Sequence, residues 1–266
     1  MQKAWAFHAF CFSETLRKNI IYSFEFNPIF AARIFVMKTY KHLFFDLDRT
    51  LYDFEAGALI TLKELYEKYN LQEHYVSFEE FHSIYRRNND TLWSQYRYRM
   101  ISKDDLRWMR FQMTLAEKNL FDRELAENIG NDYIALSPEK CLLFPFTHEV
   151  LGYLRTQYNL YLITNGFKEV QYKKIDKCNL AQYFTKVYTS EEVGFNKPEK
   201  AYFEAVIKDS GANIEDSLVI ADDPEVDIKG AATMAIDTVW FNTNGKSSAY
   251  PVTFEVNCLS KLKEIL

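Results

Sequence analysis

Apolar residues follow two different spacings along this chain. In the C-terminal half, short unbroken runs such as Leu160 to Ile163 and Leu218 to Ala221 recur between amphipathic stretches. Runs of that length bounded by turn residues read as strands buried on both faces of a parallel sheet. They predict strands over 160–164, 186–189, 217–221 and 237–241, with an edge strand over 252–256. Helices are expected near 148–157, 168–178, 198–209 and 226–234, and a closing helix over 259–266. Strand–helix alternation of this kind makes a doubly wound, Rossmann-like α/β core. Leu43-Phe44-Phe45 adds one strand upstream, ending abruptly in Asp46, Asp48 and Thr50, which alternate with Leu47 and Arg49.

Between that strand and the rest of the sheet the spacing becomes helical. Leu62, Leu65 and Tyr69 fall at i, i+3 and i+7, as do Phe78, Phe81 and Tyr85. Ser77-Phe78-Glu79-Glu80 has the form of a capping box, and Ser102 begins a similar start before Leu106 and Met109. Pro138 and Pro145 bracket the return to the sheet. The expected organisation is an α/β core from residues 37–55 and 140–266, interrupted by an all-helical insert over 56–139.

Residues 1–36 do not fit either pattern. Trp5 to Phe12 is apolar but broken by His8, and a second aromatic stretch runs from Ile20 to Phe35. Neither reaches the ~18 to 20 uninterrupted apolar residues of a membrane span. Lys3 alone would supply the basic region of a secretory signal, and no cleavage site is evident. Met37 stands directly ahead of Lys38-Thr39-Tyr40-Lys41, so the extension is expected to lie outside the fold.

Composition narrows the functional classes. A chain of 266 residues that is 48% hydrophobic can bury a full core plus an insert. The formal charge of −5 gives no basic surface for a nucleic acid polymer. Neither a Walker loop nor G-x-G-x-x-G is present. Cys11, Cys141, Cys178 and Cys258 are scattered without a short spacing, which fits reduced thiols in a cytoplasmic enzyme better than a disulfide framework.

Ligands of open α/β sheets bind at the carboxyl ends of the strands. Asp46 and Asp48 placed there would repel each other unless a cation lay between them. That arrangement suits a magnesium site with a carboxylate nucleophile. Three more stretches follow in order: Thr164-Asn165-Gly166 after a strand, Lys197-Pro198 opening a helix, and Asp222-Asp223-Pro224-Glu225-Val226-Asp227 after another strand. Together with Asp46-x-Asp48-x-Thr50 they resemble the four motifs of the haloacid dehalogenase-like hydrolases, over roughly residues 38 to 266. The helical insert after the first motif is similar to that family's cap, which closes over the site and excludes water.

The resemblance implies a role for each residue. Asp46 would attack phosphorus and form an aspartyl-phosphate, and Asp48 would protonate the leaving oxygen and later activate water. Mg²⁺ would be held by the Asp46 carboxylate, the Asp48 backbone carbonyl and Asp222, with Asp227 completing or bracing the set. Thr164 and Asn165 would grip phosphoryl oxygens and Lys197 would neutralise their charge. Asp223 reads as a loop acid rather than a ligand. True dehalogenases of the family do not normally carry an acid two residues after the nucleophile, so the resemblance of Asp48 favours phosphoryl transfer.

The stretch Ile163 to Phe167, the run Ser190 to Gly194, and Asn88, Leu92-Trp93 and Arg110-Phe111 resemble the pyrimidine nucleotidase branch. The implied ligand is a nucleoside 5'-monophosphate, with Trp93 stacked on the base and Arg110 at its carbonyl edge. The competing reading packs Trp93 and Tyr96 into the cap core. Sugar phosphates and phosphoglycolate are alternative substrates, and a phospho-aspartate receiver module is the non-enzymatic alternative. Two positions depart from the family pattern. Ala221 stands where glycine is usual, and a positive φ there would cost about 1 kcal/mol. Arg49 stands where glycine or an acid is commoner, and its side chain is expected to point away from the phosphate.

Overall fold

The computed structural model describes residues 20–22 and 36–266. Strands β1 (Ile20–Tyr22) and β2 (Val36–Lys38) pair antiparallel, so one short segment of the N-terminal extension is tied to the start of the core. The apolar stretch from Trp5 to Phe12 lies outside the described residues.

The main sheet is six-stranded and parallel. Its strands are β3 (His42–Phe45), β4 (Asn159–Thr164), β5 (Lys186–Thr189), β6 (Ser217–Ala221), β7 (Asp237–Phe241) and β8 (Phe254–Val256). Their spatial order is β5-β4-β3-β6-β7-β8. The chain therefore winds outward from β3 through β4 and β5, returns to β3's other side at β6, and winds outward again. A sheet of this kind opens its crevice where the winding reverses, here between β3 and β6. Phe45 pairs with Ile220 across that junction, and the Asp46 amide donates to the Ile220 carbonyl at 3.0 Å.

The two faces of β3 explain its unbroken apolar run. Leu43 and Phe45 point into one core with Leu162, Leu218 and Ile220, covered by α5 (Thr147–Leu154), α6 (Lys168–Lys177) and α10 (Leu262–Ile265). Phe44 points into the other with Ile163 and Val219, covered by α8 (Lys200–Ser210) and α9 (Lys229–Ala232). A strand with both faces covered has no polar side to alternate with. The short α7 (Ser190–Val193) follows β5.

The insert forms four helices, α1 (Phe54–Lys68), α2 (Phe78–Arg97), α3 (Lys103–Ala116) and α4 (Arg123–Leu136), around a core of their own containing Leu65, Phe81, Tyr85, Phe111 and Ile129. Ser102 and Asp105 make the full reciprocal cap at the start of α3. The α2 start is only half of one: Ser77 accepts from the Glu80 amide, while Glu80 reaches one residue further back to the Val76 amide. No helix among the described residues is long and apolar enough to cross a membrane.

The expectation of free thiols is corrected at one place. Cys141 precedes α5 and Cys178 ends α6, and packing these elements on one face of the sheet brings their Cα atoms to 5.3 Å, where a disulfide joins them. A linear separation of 37 residues gave no hint of that juxtaposition. Cys258 is free, and Cys11 lies outside the described residues.

Candidate active site

Three strand ends converge at the reversal of the sheet. Asp46 follows β3, Thr164 ends β4, and Asp222 follows β6, with Asp227 one helical turn farther along, inside Pro224–Ile228. One oxygen from each of Asp46, Asp222 and Asp227 lies within 4.8 Å of the others. Lys197 arrives from the loop before α8 and is 1% exposed. Its ammonium donates to Asp46 at 2.7 Å, to Asp227 at 2.6 Å and to the Ile163 carbonyl at 3.2 Å. The Thr50 hydroxyl lies 3.2 Å from Asp46 and 3.4 Å from Asp222, and accepts from the Asp222 amide at 3.1 Å. Trp240 on β7 donates to the Asp222 carbonyl at 2.9 Å and fixes that loop from the other side.

The charges do not balance. Burial pushes the carboxyls of Asp46 and Asp222 up from the usual range, and for Asp222 the neighbouring charges of Asp46 and Asp227 add to it. Burial likewise raises Asp227, against the pull of Lys197, to about 7. Burial works to lower Lys197, but Asp227 and Asp46 outweigh it and hold the ammonium above its ordinary range. One lysine against three clustered carboxylates leaves a net negative, oxygen-lined site. Carboxylate oxygens are the donors that hard divalent cations prefer, so Asp46, Asp222 and Asp227 fit a magnesium ion.

Asp48 is held differently. One of its oxygens accepts from Lys174 at 2.5 Å and the other from Gln171 at 2.9 Å, both on α6. Gln171 also donates to the Thr164 hydroxyl oxygen at 2.6 Å, and the Gly166 amide donates to the same oxygen at 3.0 Å. Sequence reading did not single out Lys174 or Gln171. A lysine on an amphipathic helix ordinarily faces solvent, and only the packing of α6 under the β3 loop turns this one inward.

Several expected positions are corrected. Asn165 lines the cleft, but its side chain is turned to the protein. Its Nδ2 donates to the Lys197 carbonyl and its Oδ1 accepts from the Lys197 amide, each at 2.8 Å, so it braces the lysine's backbone. Arg110 is 2% exposed inside the insert, where it donates to Asn89 at 3.3 Å and lies 4.6 Å over the Tyr133 ring. It does not line the cleft. The helical period places position 110 on the inner face of α3 with Leu106 and Phe111, and the sequence alone did not distinguish that face from the cleft side. Arg49 does line the cleft, ion-paired with Glu55 and lying over the Phe54 ring. Its backbone is left-handed, with φ 66°. Ala221 is ordinary strand backbone in β6 and fully buried. Asp223 caps the turn after β6, accepting from the Glu225 and Val226 amides.

A cleft of about 460 Å³ opens above these groups, within the usual size for small-ligand sites. The insert lines it with Arg86, Asp90, Trp93 and Arg97, spaced so that they form one stripe along α2. Trp93 is half-buried and bridges the two parts of the molecule, with its ring 5.5 Å from Phe167 of the core and 5.6 Å from Tyr96. Trp93 therefore borders the cleft and packs at the same time. The loop Asn242 to Lys246 closes the opposite wall.

A carboxylate cluster with a buried lysine, at the carboxyl ends of a parallel sheet and beneath a helical lid, defines the class: a capped α/β hydrolase. Residues 43–241 match the family model of the haloacid dehalogenase-like hydrolases, and the chain belongs to that family. It is 30% identical over 234 residues to the HAD-hydrolase YfnB of Bacillus subtilis, covering 86% of this chain and 97% of that one. The pyrimidine 5'-nucleotidase PynA of Streptococcus pneumoniae is 29% identical over 85% of this chain and 95% of its own. The pyrimidine 5'-nucleotidase YjjG of Escherichia coli is 27% identical over 84% and 96%. A magnesium-bound crystal structure of YfnB superposes with a TM-score of 0.78, covering 85% of this chain and 97% of that one at 29% identity. Within its family the chain is a phosphatase.

Proposed function

We propose that this phosphatase is a magnesium-dependent pyrimidine 5'-nucleotidase that works through an aspartyl-phosphate on Asp46. The observation that carries the reading is the placement of Asp46. It is buried at the sheet's reversal, 2.7 Å from the Lys197 ammonium and within a few ångströms of two further carboxylates. A carboxylate so placed is fixed for in-line attack and its charge is offset without being quenched by water.

The steps follow from the chain's own groups. Asp46 attacks phosphorus, the ester oxygen departs with a proton from Asp48, and Asp48 then draws a proton from the water that hydrolyses the acyl-phosphate. Thr164, whose hydroxyl oxygen already accepts two hydrogen bonds, has its own proton left to donate to a phosphoryl oxygen. Lys197 counters the charge on Asp46 and the transferring group. Asp46, Asp222 and Asp227, with the Asp48 backbone carbonyl, would hold Mg²⁺, which supplies charge neutralisation at the phosphoryl oxygens.

Trp93 supports the nucleotide reading, because an aromatic ring on the cap wall offers a stacking surface to a base. PynA and YjjG, similar over nearly their whole lengths, are pyrimidine nucleotidases by name. The test is a panel of phosphomonoesters assayed with Mg²⁺. Uridine, cytidine and thymidine 5'-monophosphates are expected to give the highest kcat/KM. A preference for sugar phosphates or phosphoglycolate would overturn the nucleotidase reading.

A further inference from the structure

We propose that Lys174 and Gln171 of α6 are positioning residues for the Asp48 side chain, and that they join it to Thr164 in one rigid unit. The inference rests on the reading of Asp48 as the general acid. The side chain of Lys174 is 3% exposed, against 24% for Asp48, so the ammonium gives up its hydration to meet this carboxylate. Its other close neighbours are the rings of Tyr52 at 4.8 Å and Phe54 at 5.3 Å. A lysine buried among aromatic rings with one carboxylate partner has one orientation, and it imposes that orientation on the partner.

Gln171 supplies the second constraint. It is fully buried, and its amide nitrogen spans the Asp48 carboxylate and the Thr164 hydroxyl. The backbone is built around it. A Cβ at Gly166 would lie 2.3 Å from that nitrogen, so the glycine two residues after Thr164 makes room for the Gln171 side chain. Both oxygens of Asp48 are thus fixed by α6, while the Thr164 hydroxyl is fixed by the same amide. The group that delivers the proton and the group that meets the phosphate keep a constant relation to each other.

The chemistry makes this orientation matter for some substrates and not others. As the bond from Asp46 to phosphorus forms, the bond from phosphorus to the ester oxygen breaks and that oxygen takes the Asp48 proton. The carboxylate left behind is the form that Lys174 and Gln171 hold. An ester with a basic leaving oxygen needs that proton, whereas one that leaves as a stable anion does not.

The test uses phenyl phosphate and p-nitrophenyl phosphate, which share a shape but differ in leaving group. With the full chain and saturating Mg²⁺, kcat/KM is measured for wild type, Asp48→Asn, Lys174→Met, Lys174→Arg and Gln171→Leu. This parameter reports the steps through phosphoryl transfer and excludes hydrolysis of the intermediate, which both esters share. Lys174→Met is expected to lose about tenfold to a hundredfold on phenyl phosphate and less than about threefold on p-nitrophenyl phosphate. Gln171→Leu should shift in the same direction, and Lys174→Arg should recover most of the loss. If Asp48→Asn itself shows no dependence on the leaving group, the general-acid reading fails. If Asp48→Asn shows it and neither Lys174→Met nor Gln171→Leu does, the positioning role is overturned. Equal losses on both esters in the α6 variants would overturn it too, leaving a purely structural role.

Discussion

Lys197 and Asp46, 151 residues apart in the chain, meet at 2.7 Å at the sheet's reversal, both almost wholly buried. The contact joins the strand that begins the core to the loop that opens α8. It also sets the charge of the whole cluster, because Lys197 is the only cation that touches Asp46 or Asp227 among the described residues.

Removing that charge should cost catalysis more than binding. Lys197→Met is expected to lower kcat at least about a hundredfold, as loss of one electrostatic stabiliser typically does. Steady-state kinetics at saturating Mg²⁺ check this. A variant that keeps more than about a tenth of wild-type kcat would remove Lys197 from the transition state.

Magnesium dependence follows from the unbalanced carboxylates. Chelation with EDTA should stop turnover and Mg²⁺ should restore it, because Asp46, Asp222 and Asp227 otherwise share one lysine. Asp222→Ala should need at least about tenfold more Mg²⁺ for half-maximal rate, in line with the loss of one carboxylate ligand. Full activity in chelator would contradict the proposed role of the cluster.

The same carboxylates give stability a definite pH dependence. Burial raises Asp46 and Asp222 and brings Asp227 to about 7, above the unfolded value in each case. The folded chain therefore binds more protons than the unfolded one. The stability this contributes is present below the unfolded pKa, about 4, and lost as pH rises through about 7. Mg²⁺ binds the ionised cluster and should reverse the trend. Thermal melts are expected to show a larger Mg²⁺-induced rise in Tm at about pH 8 than at about pH 5.5. An equal rise at both values would show that the cluster does not hold the ion.

Much of the fold was legible because each strand buried on both faces leaves an unbroken apolar run. Leu160 to Ile163 and Leu218 to Ala221 could hardly be anything else between amphipathic helices. Asp46, Thr164, Lys197, Asp222 and Asp227 were legible as strand-end or loop residues, and the structure brings them together. What stayed hidden depended on tertiary packing. Lys174 looks like any helix lysine until α6 is docked under Asp48. Arg110 looks like a cleft residue until α3 turns its inner face to Tyr133. The left-handed backbone at Arg49 was not legible either, because the turn after β3 imposes it, while β6 runs straight to its end at Ala221. Cys141 and Cys178 gave no signal, since only the stacking of α5 and α6 on one face makes them neighbours.

Trp93 offers a direct test of substrate class. Base–aromatic stacking is worth ~1 to 3 kcal/mol, so Trp93→Ala should lower kcat/KM for a pyrimidine 5'-monophosphate by about tenfold or more. p-Nitrophenyl phosphate, with no base to place against the cap wall, should lose far less. Equal losses on both would assign Trp93 to packing against Phe167 and Tyr96 alone.

The central claim is covalent catalysis by Asp46, and trapping the intermediate tests it most directly. An acyl-phosphate is reduced by borohydride to an alcohol, which turns the aspartate into homoserine. Enzyme quenched during turnover of a good substrate with Mg²⁺, reduced and digested, should carry homoserine at position 46 by mass spectrometry. Asp46→Asn, treated the same way, should carry none and should have lost at least about 10³-fold in turnover. Homoserine at another aspartate, or an unmodified position 46 in enzyme trapped while an acyl-phosphate accumulates, would contradict the account.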